Sequence, residues 1–139
     1  MKHTTILLLM LGILSITGLN EKQMDAAVKM VKNVCKPKTK ATDADIDKMH
    51  QGDWNIDHPA MCYMYCALNM YRLMNPDNTF NHESAMAQVK QLPESFKGPT
   101  EICMEKCKDA AVTLDDKCIA AYELSKCMYF CNPEKYFLP

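Results

Sequence analysis

The chain has 139 residues, a net charge of −1 and 48% hydrophobic residues, which together suit a single folded domain. Its 16 basic residues lie among 17 acidic ones without a basic stripe, so no nucleic-acid partner is expected. Four glycines are few for a turn-rich all-β fold, whereas twelve methionines indicate an adaptable apolar interior.

The first residues have the pattern of a secretory signal peptide. Met1–His3 forms a short basic start, the segment 6–14 is continuously apolar, and small residues follow up to Gly18. The apolar run is too short to cross a bilayer, although a membrane anchor is the alternative interpretation. We therefore expect a signal peptide over residues 1–18 and one secreted, soluble domain over residues 19–139, without stable membrane insertion.

The remaining chain predicts about six helices, each starting at a polar cap and stopping near a glycine or proline. The third is apolar almost all round, which places it in the middle of the domain. No strand-like alternation is evident, so the expected fold class is all-α. The expected ranges are Asn20 to Lys36, Thr42 to Gly52, Ala60 to Met74 (opened by Asp57), Asn81 to Leu92, Thr100 to Ala111, and Asp115 to Cys131.

The eight cysteines are the strongest feature, and in a secreted chain they predict disulfides first. Three pairs are four residues apart and so share a helix face: 62/66, 103/107 and 127/131. Two such thiols bond poorly to each other, so each should reach another element. Spacing alone leaves the pairing open, and a zinc site formed by 103/107 and 127/131 is the alternative there.

The order and spacing of six of these cysteines resemble those of the insect odorant-binding proteins, the family that includes the pheromone-binding proteins. Three residues separate the second cysteine from the third, and eight separate the fifth from the sixth. A mature chain of about 120 residues and six predicted helices agree with this resemblance, which covers essentially the whole mature chain. The six cysteines are Cys35, Cys62, Cys66, Cys107, Cys118 and Cys127.

The resemblance implies three interlocked disulfides, namely Cys35–Cys66, Cys62–Cys118 and Cys107–Cys127. Cys103 and Cys131 lie outside the six-cysteine pattern, one turn before and one turn after the last of these bonds. If the two helices cross there, these two residues also meet, which predicts a fourth disulfide, Cys103–Cys131. Taking Cys103 as the fourth cysteine of the family would instead exchange partners within this cluster.

The resemblance further implies a compact helical bundle around an apolar cavity. Its function would be that of a carrier which binds odorants or pheromones and delivers them to chemosensory receptors in olfaction. The partners would be a small hydrophobic ligand and, among proteins, an olfactory receptor or a second copy of the chain; an olfactory carrier would lie in sensillum lymph. The alternatives are a lipid or hormone carrier outside olfaction with the same fold, and a saposin-like lipid-binding module. No cofactor is expected.

Candidate pocket residues come from the expected inward faces of the helices and from the apolar tail. We expect the tail to act as a lid, and a tail that packs on the outside or is disordered is the alternative. Simple packing in the core is the alternative for each candidate residue. Tyr71 and Tyr122 are the candidates that would offer a hydroxyl to an alcohol, aldehyde or ester. The full set is Trp54, Met64, Leu68, Tyr71, Phe80, Met86, Val89, Met104, Ile119, Tyr122, Met128 and Phe137.

The sequence contains neither a G-x-S-x-G nor an H-E-x-x-H motif, and paired cysteines leave no thiol nucleophile. We therefore do not expect an enzyme, and Asp57-His58 is interpreted as a helix start. The histidines of the mature chain are His50, His58 and His82. A pH-sensitive release of ligand through them is a hypothesis, with three surface histidines of no special role as the alternative.

Overall fold

A computed structural model describes residues 18–139, so nearly all of the expected signal peptide lies outside the described residues. This part of the chain folds into helices, with one isolated bridge between Met74 and Phe80 as its sole β pairing. The all-α prediction is confirmed. The helices are α1 (Glu21–Thr39), α2 (Asp43–His50), α3 (His58–Met70), α4 (His82–Val89), α5 (Glu94–Cys107) and α6 (Lys117–Cys131), followed by a 3-10 turn at Pro133–Lys135.

The first two helices begin at the expected caps. The Asn20 side chain accepts the Gln23 N–H at 2.8 Å, and the Gln23 side chain accepts the Asn20 N–H at 3.0 Å. This reciprocal pair is a capping box, which satisfies two donors that the helix leaves free. Thr42 caps α2 by accepting the Asp45 N–H at 3.1 Å.

Two prolines that were expected to end or precede helices lie inside them. α1 continues through Pro37 to Thr39, whose hydroxyl donates to the Cys35 carbonyl at 2.8 Å and supports the last turn. α5 starts at Glu94, not Thr100, and passes through Pro99. A residue before proline normally avoids helical geometry because its Cβ meets the proline ring, but Gly98 has no Cβ.

Other helix boundaries also differ from the prediction. α4 ends at Val89 instead of Leu92, and α5 ends at Cys107 instead of Ala111. α3 ends at Met70 instead of Met74, since Arg72 takes a left-handed φ of 58° and the chain then turns toward the Met74–Phe80 bridge. α6 is capped by Asp116 instead of Asp115. The Asp57 side chain precedes α3 but makes no capping hydrogen bond.

α3 lies at the centre of the molecule, as its apolar sequence predicts. It packs against α6 on one side and α1 on the other. Tyr63, Met64 and Ala67 on this helix are completely buried. α5 in turn packs against both α4 and α6.

Four disulfides connect the helices: Cys35–Cys66, Cys62–Cys118, Cys103–Cys131 and Cys107–Cys127. These are the pairs that the resemblance and the crossing of the last two helices lead one to expect. The first joins α1 to α3, the second joins α3 to α6, and the other two are adjacent links between α5 and α6. All eight sulfurs are used, so the zinc alternative is not realised.

None of the helices in residues 18–139 combines the length and the apolar character needed to cross a membrane.

Candidate functional site

The helices enclose a cavity of about 200 Å³ between α1, α3, α4, α5, α6 and the C-terminal tail. Its wall is almost entirely apolar. Such a space is larger than a ~150 Å³ apolar cavity, which holds a benzene molecule. The geometry therefore suits a small apolar ligand enclosed by protein on most sides.

Seven of the twelve candidate pocket residues line this cavity. They come from the end of α3, the turn before α4, the second turn of α4, the last turn of α5, the end of α6 and the tail. These seven are Leu68, Tyr71, Phe80, Val89, Met104, Met128 and Phe137.

The other five candidates lie elsewhere in the structure. Met64 is completely buried on the core side of α3, and Met86 and Ile119 are partly buried away from the cavity. Trp54 packs against Tyr122, with ring centroids 5.9 Å apart. The Tyr122 hydroxyl donates to the Trp54 carbonyl at 2.8 Å, so this group is already used within the protein.

Many lining residues were not among the sequence candidates. Met24, Ala27 and Val28 follow the three- and four-residue spacing of an inward helix face, and this signal was visible in the sequence. Polar lining residues such as Gln88 are not predicted by an apolar spacing pattern. The residues missed are Leu19, Met24, Ala27, Val28, Leu73, Gln88, Gln91, Leu92, Pro99, Thr100, Cys103, Leu124, Asn132, Lys135, Tyr136 and Leu138.

The tail after α6 forms part of the cavity wall. Tyr136, Phe137 and Leu138 all line the cavity, and Leu138 is buried. The Phe137 ring meets the Phe96 ring edge-on, with centroids 5.7 Å apart. Lys135 Nζ lies 4.7 Å from the centre of the same Phe96 ring, so a cation–π contact helps to fix the start of the tail.

Two tyrosine hydroxyls supply polarity within this apolar wall. The hydroxyl oxygens of Tyr71 and Tyr136 are buried and have no hydrogen-bond partner among residues 18–139. Burial raises the pKa of Tyr71 to about 12. Burial likewise raises the pKa of Tyr136 above its usual value, and Tyr63 and Tyr129 raise this pKa further by smaller amounts. Both hydroxyls therefore keep their protons and can act as hydrogen-bond donors.

His50 lies beside the tail, with its ring centroid 5.8 Å from that of Tyr136. Burial lowers the pKa of His50, and a hydrogen bond with the Pro139 backbone partly opposes this. The C-terminal end of a helix favours a cation, but at His50 the loss of hydration outweighs this effect of the helix dipole.

One group of side chains within residues 18–139 has the composition of a metal site. His58, Cys62 and Cys118 bring their donor atoms within 4.8 Å of one another. The two sulfurs are bonded to each other, however, and His58 Nε2 lies 3.0 Å from the Asp116 carboxylate. This cluster is therefore a structural contact between α3 and α6 and not a metal centre.

Comparisons with known proteins agree with one another. The PBP/GOBP family model matches residues 18–130. General odorant-binding protein 19d of Drosophila melanogaster is 32% identical over 135 residues, covering 91% of this chain and 88% of that protein. General odorant-binding protein 72 of Anopheles gambiae is 28% identical over 121 residues, covering 86% of this chain and 99% of that protein.

The structure also resembles a solved one. Odorant binding protein 4 of the predator Chrysopa pallens superposes with a TM-score of 0.82 at 36% sequence identity. The match covers 87% of this chain and 99% of that one.

Proposed function

We propose, from the premise that this chain belongs to the PBP/GOBP family, that it carries one small hydrophobic molecule in the cavity closed by its tail. The resemblance in cysteine spacing is thereby confirmed. The family consists of binding and carrier proteins. The observation that supports the proposal best is the enclosed apolar cavity, to which the chain contributes from its first described residues to its last.

Burial of apolar surface supplies enough free energy for reversible carriage. A ligand that buries ~300 Å² gains roughly 7 kcal/mol at about 25 cal/mol per Å². Losses of motion on association reduce this gain, and close packing adds to it. A dissociation constant on the order of micromolar, which corresponds to about −8 kcal/mol, allows both solubilisation and release.

We propose that the carrier is secreted and that the mature domain begins near residue 19. Four disulfides support this assignment, because such bonds persist in oxidising compartments. Leu19 belongs to the folded domain, since its N–H donates to the Gln91 carbonyl at 2.8 Å and the residue lines the cavity.

The finer role that we propose is delivery of odorants or pheromones to chemosensory receptors in sensillum lymph. The names of the relatives support it, as both similar insect proteins are called general odorant-binding proteins. A receptor or a second copy of the chain would be the protein partner, and the cavity would bind its ligand without catalysing a reaction. The same fold acting as a lipid or hormone carrier outside olfaction is the second candidate, which tissue distribution of the protein distinguishes.

Displacement of a fluorescent apolar probe, N-phenyl-1-naphthylamine, tests carriage directly. We expect volatile ligands to displace it at micromolar concentration. Met104 lines the cavity, so Met104→Trp fills part of the space and should weaken probe binding by about tenfold or more.

Met30→Trp is the matched control, because Met30 is 60% exposed on α1 and lies outside the cavity wall. This variant should bind the probe as the unchanged protein does. Equal binding by both tryptophan variants would place the ligand elsewhere and contradict the proposal. Hydrolysis of ester ligands during the assay would contradict the absence of catalysis.

A further inference from the structure

The cavity contains an unusual arrangement of donors. Tyr71 caps the C-terminus of α3, and its carbonyl is held by the Gln88 side-chain amide, so its backbone is fixed. Tyr136 is fixed by its ring, which meets the Tyr129 ring at 5.3 Å and the Trp54 ring at 6.2 Å. Both side chains line the cavity while their hydroxyls remain buried and unpaired within residues 18–139.

A buried hydroxyl without a partner destabilises a protein, because its hydrogen bonds to water are lost and none replace them. Tyr71 and Tyr136 both line one cavity, so a ligand bound there is a candidate partner for their unpaired hydroxyls. Tyr63 is a third, since its hydroxyl is also buried and unpaired behind the wall. The pKa of Tyr63 is raised first by burial and then by the neighbouring Tyr71.

The charge around these hydroxyls determines which ligand group fits them. No histidine, arginine or acidic side chain lines the cavity in the described part of the chain, and the sole ionisable cation in the wall is Lys135. Its Nζ is held over the Phe96 ring at 4.7 Å. A carboxylate near the tyrosines would thus lose its hydration without gaining a cation, whereas a neutral oxygen would accept their hydrogen bonds at little cost.

Resting on the proposed function, we propose that the hydroxyls of Tyr71 and Tyr136 determine ligand specificity by donating hydrogen bonds to an uncharged acceptor oxygen. The cavity then selects ketones, aldehydes or esters over hydrocarbons of similar length and over carboxylates. Apolar burial supplies most of the affinity, and the two tyrosines supply the discrimination.

Three ligands of equal chain length test this selection: 2-decanone, decane and decanoate, each displacing the same fluorescent probe at neutral pH. We expect 2-decanone to bind most tightly. Tyr71→Phe and Tyr136→Phe should each weaken 2-decanone by about 3- to 10-fold, the effect of one neutral hydrogen bond. Decane should be unaffected or bind slightly better, so the preference for the ketone over the alkane shrinks in each variant.

Tyr65→Phe is the control, because Tyr65 lies on α3 outside the cavity with Lys117 over its ring at 4.8 Å. It should leave all three affinities unchanged. Thermal unfolding gives a second readout: removing an unpaired buried hydroxyl should leave the melting temperature of the free protein unchanged or raise it.

An unaltered ratio of ketone to alkane affinity in both phenylalanine variants would overturn the inference, as would equal losses for both ligands. Tighter binding of decanoate than of 2-decanone, lost in Lys135→Met, would also overturn it and assign the polar contact to Lys135. Each of these outcomes would leave apolar carriage intact. Failure of the unchanged protein to bind the probe or any of the ligands would instead contradict the proposed function.

Discussion

His50 shows how a single side chain can couple solution pH to the cavity. It closes α2 and contacts the Tyr136 ring in the tail, and Lys32 and Asp47 act on it with opposite signs. Burial lowers its pKa, so the folded protein favours the neutral imidazole. As the pH falls below the ordinary value of 6.5, the unfolded chain takes up the proton first. The stability contribution is therefore full above this pH and decreases as the solution becomes more acidic.

We predict that this titration weakens the tail and promotes ligand release in acid. Probe affinity of the unchanged protein should be lower at about pH 5 than at about pH 7. His50→Asn should reduce this difference. His58→Asn serves as the control, because His58 pairs with Asp116 at the start of α6, whereas the tail follows the end of this helix. A pH difference that disappears in the His58 variant and persists in the His50 variant would contradict this role.

At the scale of residues, the sequence revealed apolar wall positions better than polar ones. Leu68 and Val89 were predictable because their helical faces point inward. Trp54 and Tyr122 were candidates because they are large aromatic residues. They contact each other instead of the cavity. Sequence periodicity identifies a buried face, but the side of a helix that meets an empty space depends on how distant segments pack.

At the scale of helices, the first turn of α6 determines where this helix starts and how it lies against α3. The Asp116 carboxylate accepts the N–H groups of Cys118 and Ile119 at 2.8 and 3.1 Å, and it also contacts His58 of α3. The cap therefore fixes both the start of α6 and its position against α3. A hydrogen bond with His58 is the largest cause that holds the pKa of Asp116 below its usual value.

Asp116→Ala should consequently lower the free energy of unfolding by about 0.5–2 kcal/mol, the usual effect of removing an N-cap side chain. Urea denaturation at neutral pH measures this change. Asp115→Ala is the neighbouring control, since Asp115 is exposed and makes no cap contact, and it should alter stability little. Equal losses in the two variants would show that local charge, and not the cap, stabilises this turn.

The start of α5 shows why the expected boundaries failed where two helix breakers stand together. Gly98 and Pro99 each favour a break when considered alone. Together they are compatible with a helix, because glycine removes the Cβ that would meet the proline ring. Capping by Asn20 was predictable from four neighbouring residues. The helix through Gly98 and Pro99 was not, because each residue alone predicts a break and only the two together permit a helix.

For the whole molecule, the four disulfides connect α1, α3, α5 and α6 into one frame and leave α2 and α4 without a covalent link. Cys103–Cys131 repeats the connection already made by Cys107–Cys127 one turn away. In a chain-entropy description, it therefore closes only a small additional loop. Cys62–Cys118 spans 56 residues and joins parts of the chain that would otherwise be distant.

We predict that replacing both cysteines by serine destabilises the protein less at Cys103–Cys131 than at Cys62–Cys118. The 103/131 double variant should lose about 2–3 kcal/mol, and the 62/118 double variant should lose ~4 kcal/mol. Thermal and urea unfolding under oxidising conditions measure both. A larger loss in the 103/131 variant than in the 62/118 variant would contradict the entropic account.

The overall fold was largely predictable because six cysteines have the order and spacing of the odorant-binding family, and the fourth disulfide follows if α5 and α6 cross at Cys107–Cys127. The cavity was less predictable from the sequence. Its wall takes side chains from segments that are as far apart as Leu19 and Leu138, and no local pattern records which of them meet.

The division between a cross-linked frame and an unlinked α4 has an evolutionary consequence. Gln88 and Val89 of α4, together with the tail, contribute to the wall without carrying a disulfide. Substitutions there can alter the shape of the binding space while the covalent frame continues to stabilise the fold. Duplicated genes that encode this frame would therefore be expected to diverge in ligand preference mainly through α4 and the tail, with the cysteine-bearing helices changing more slowly.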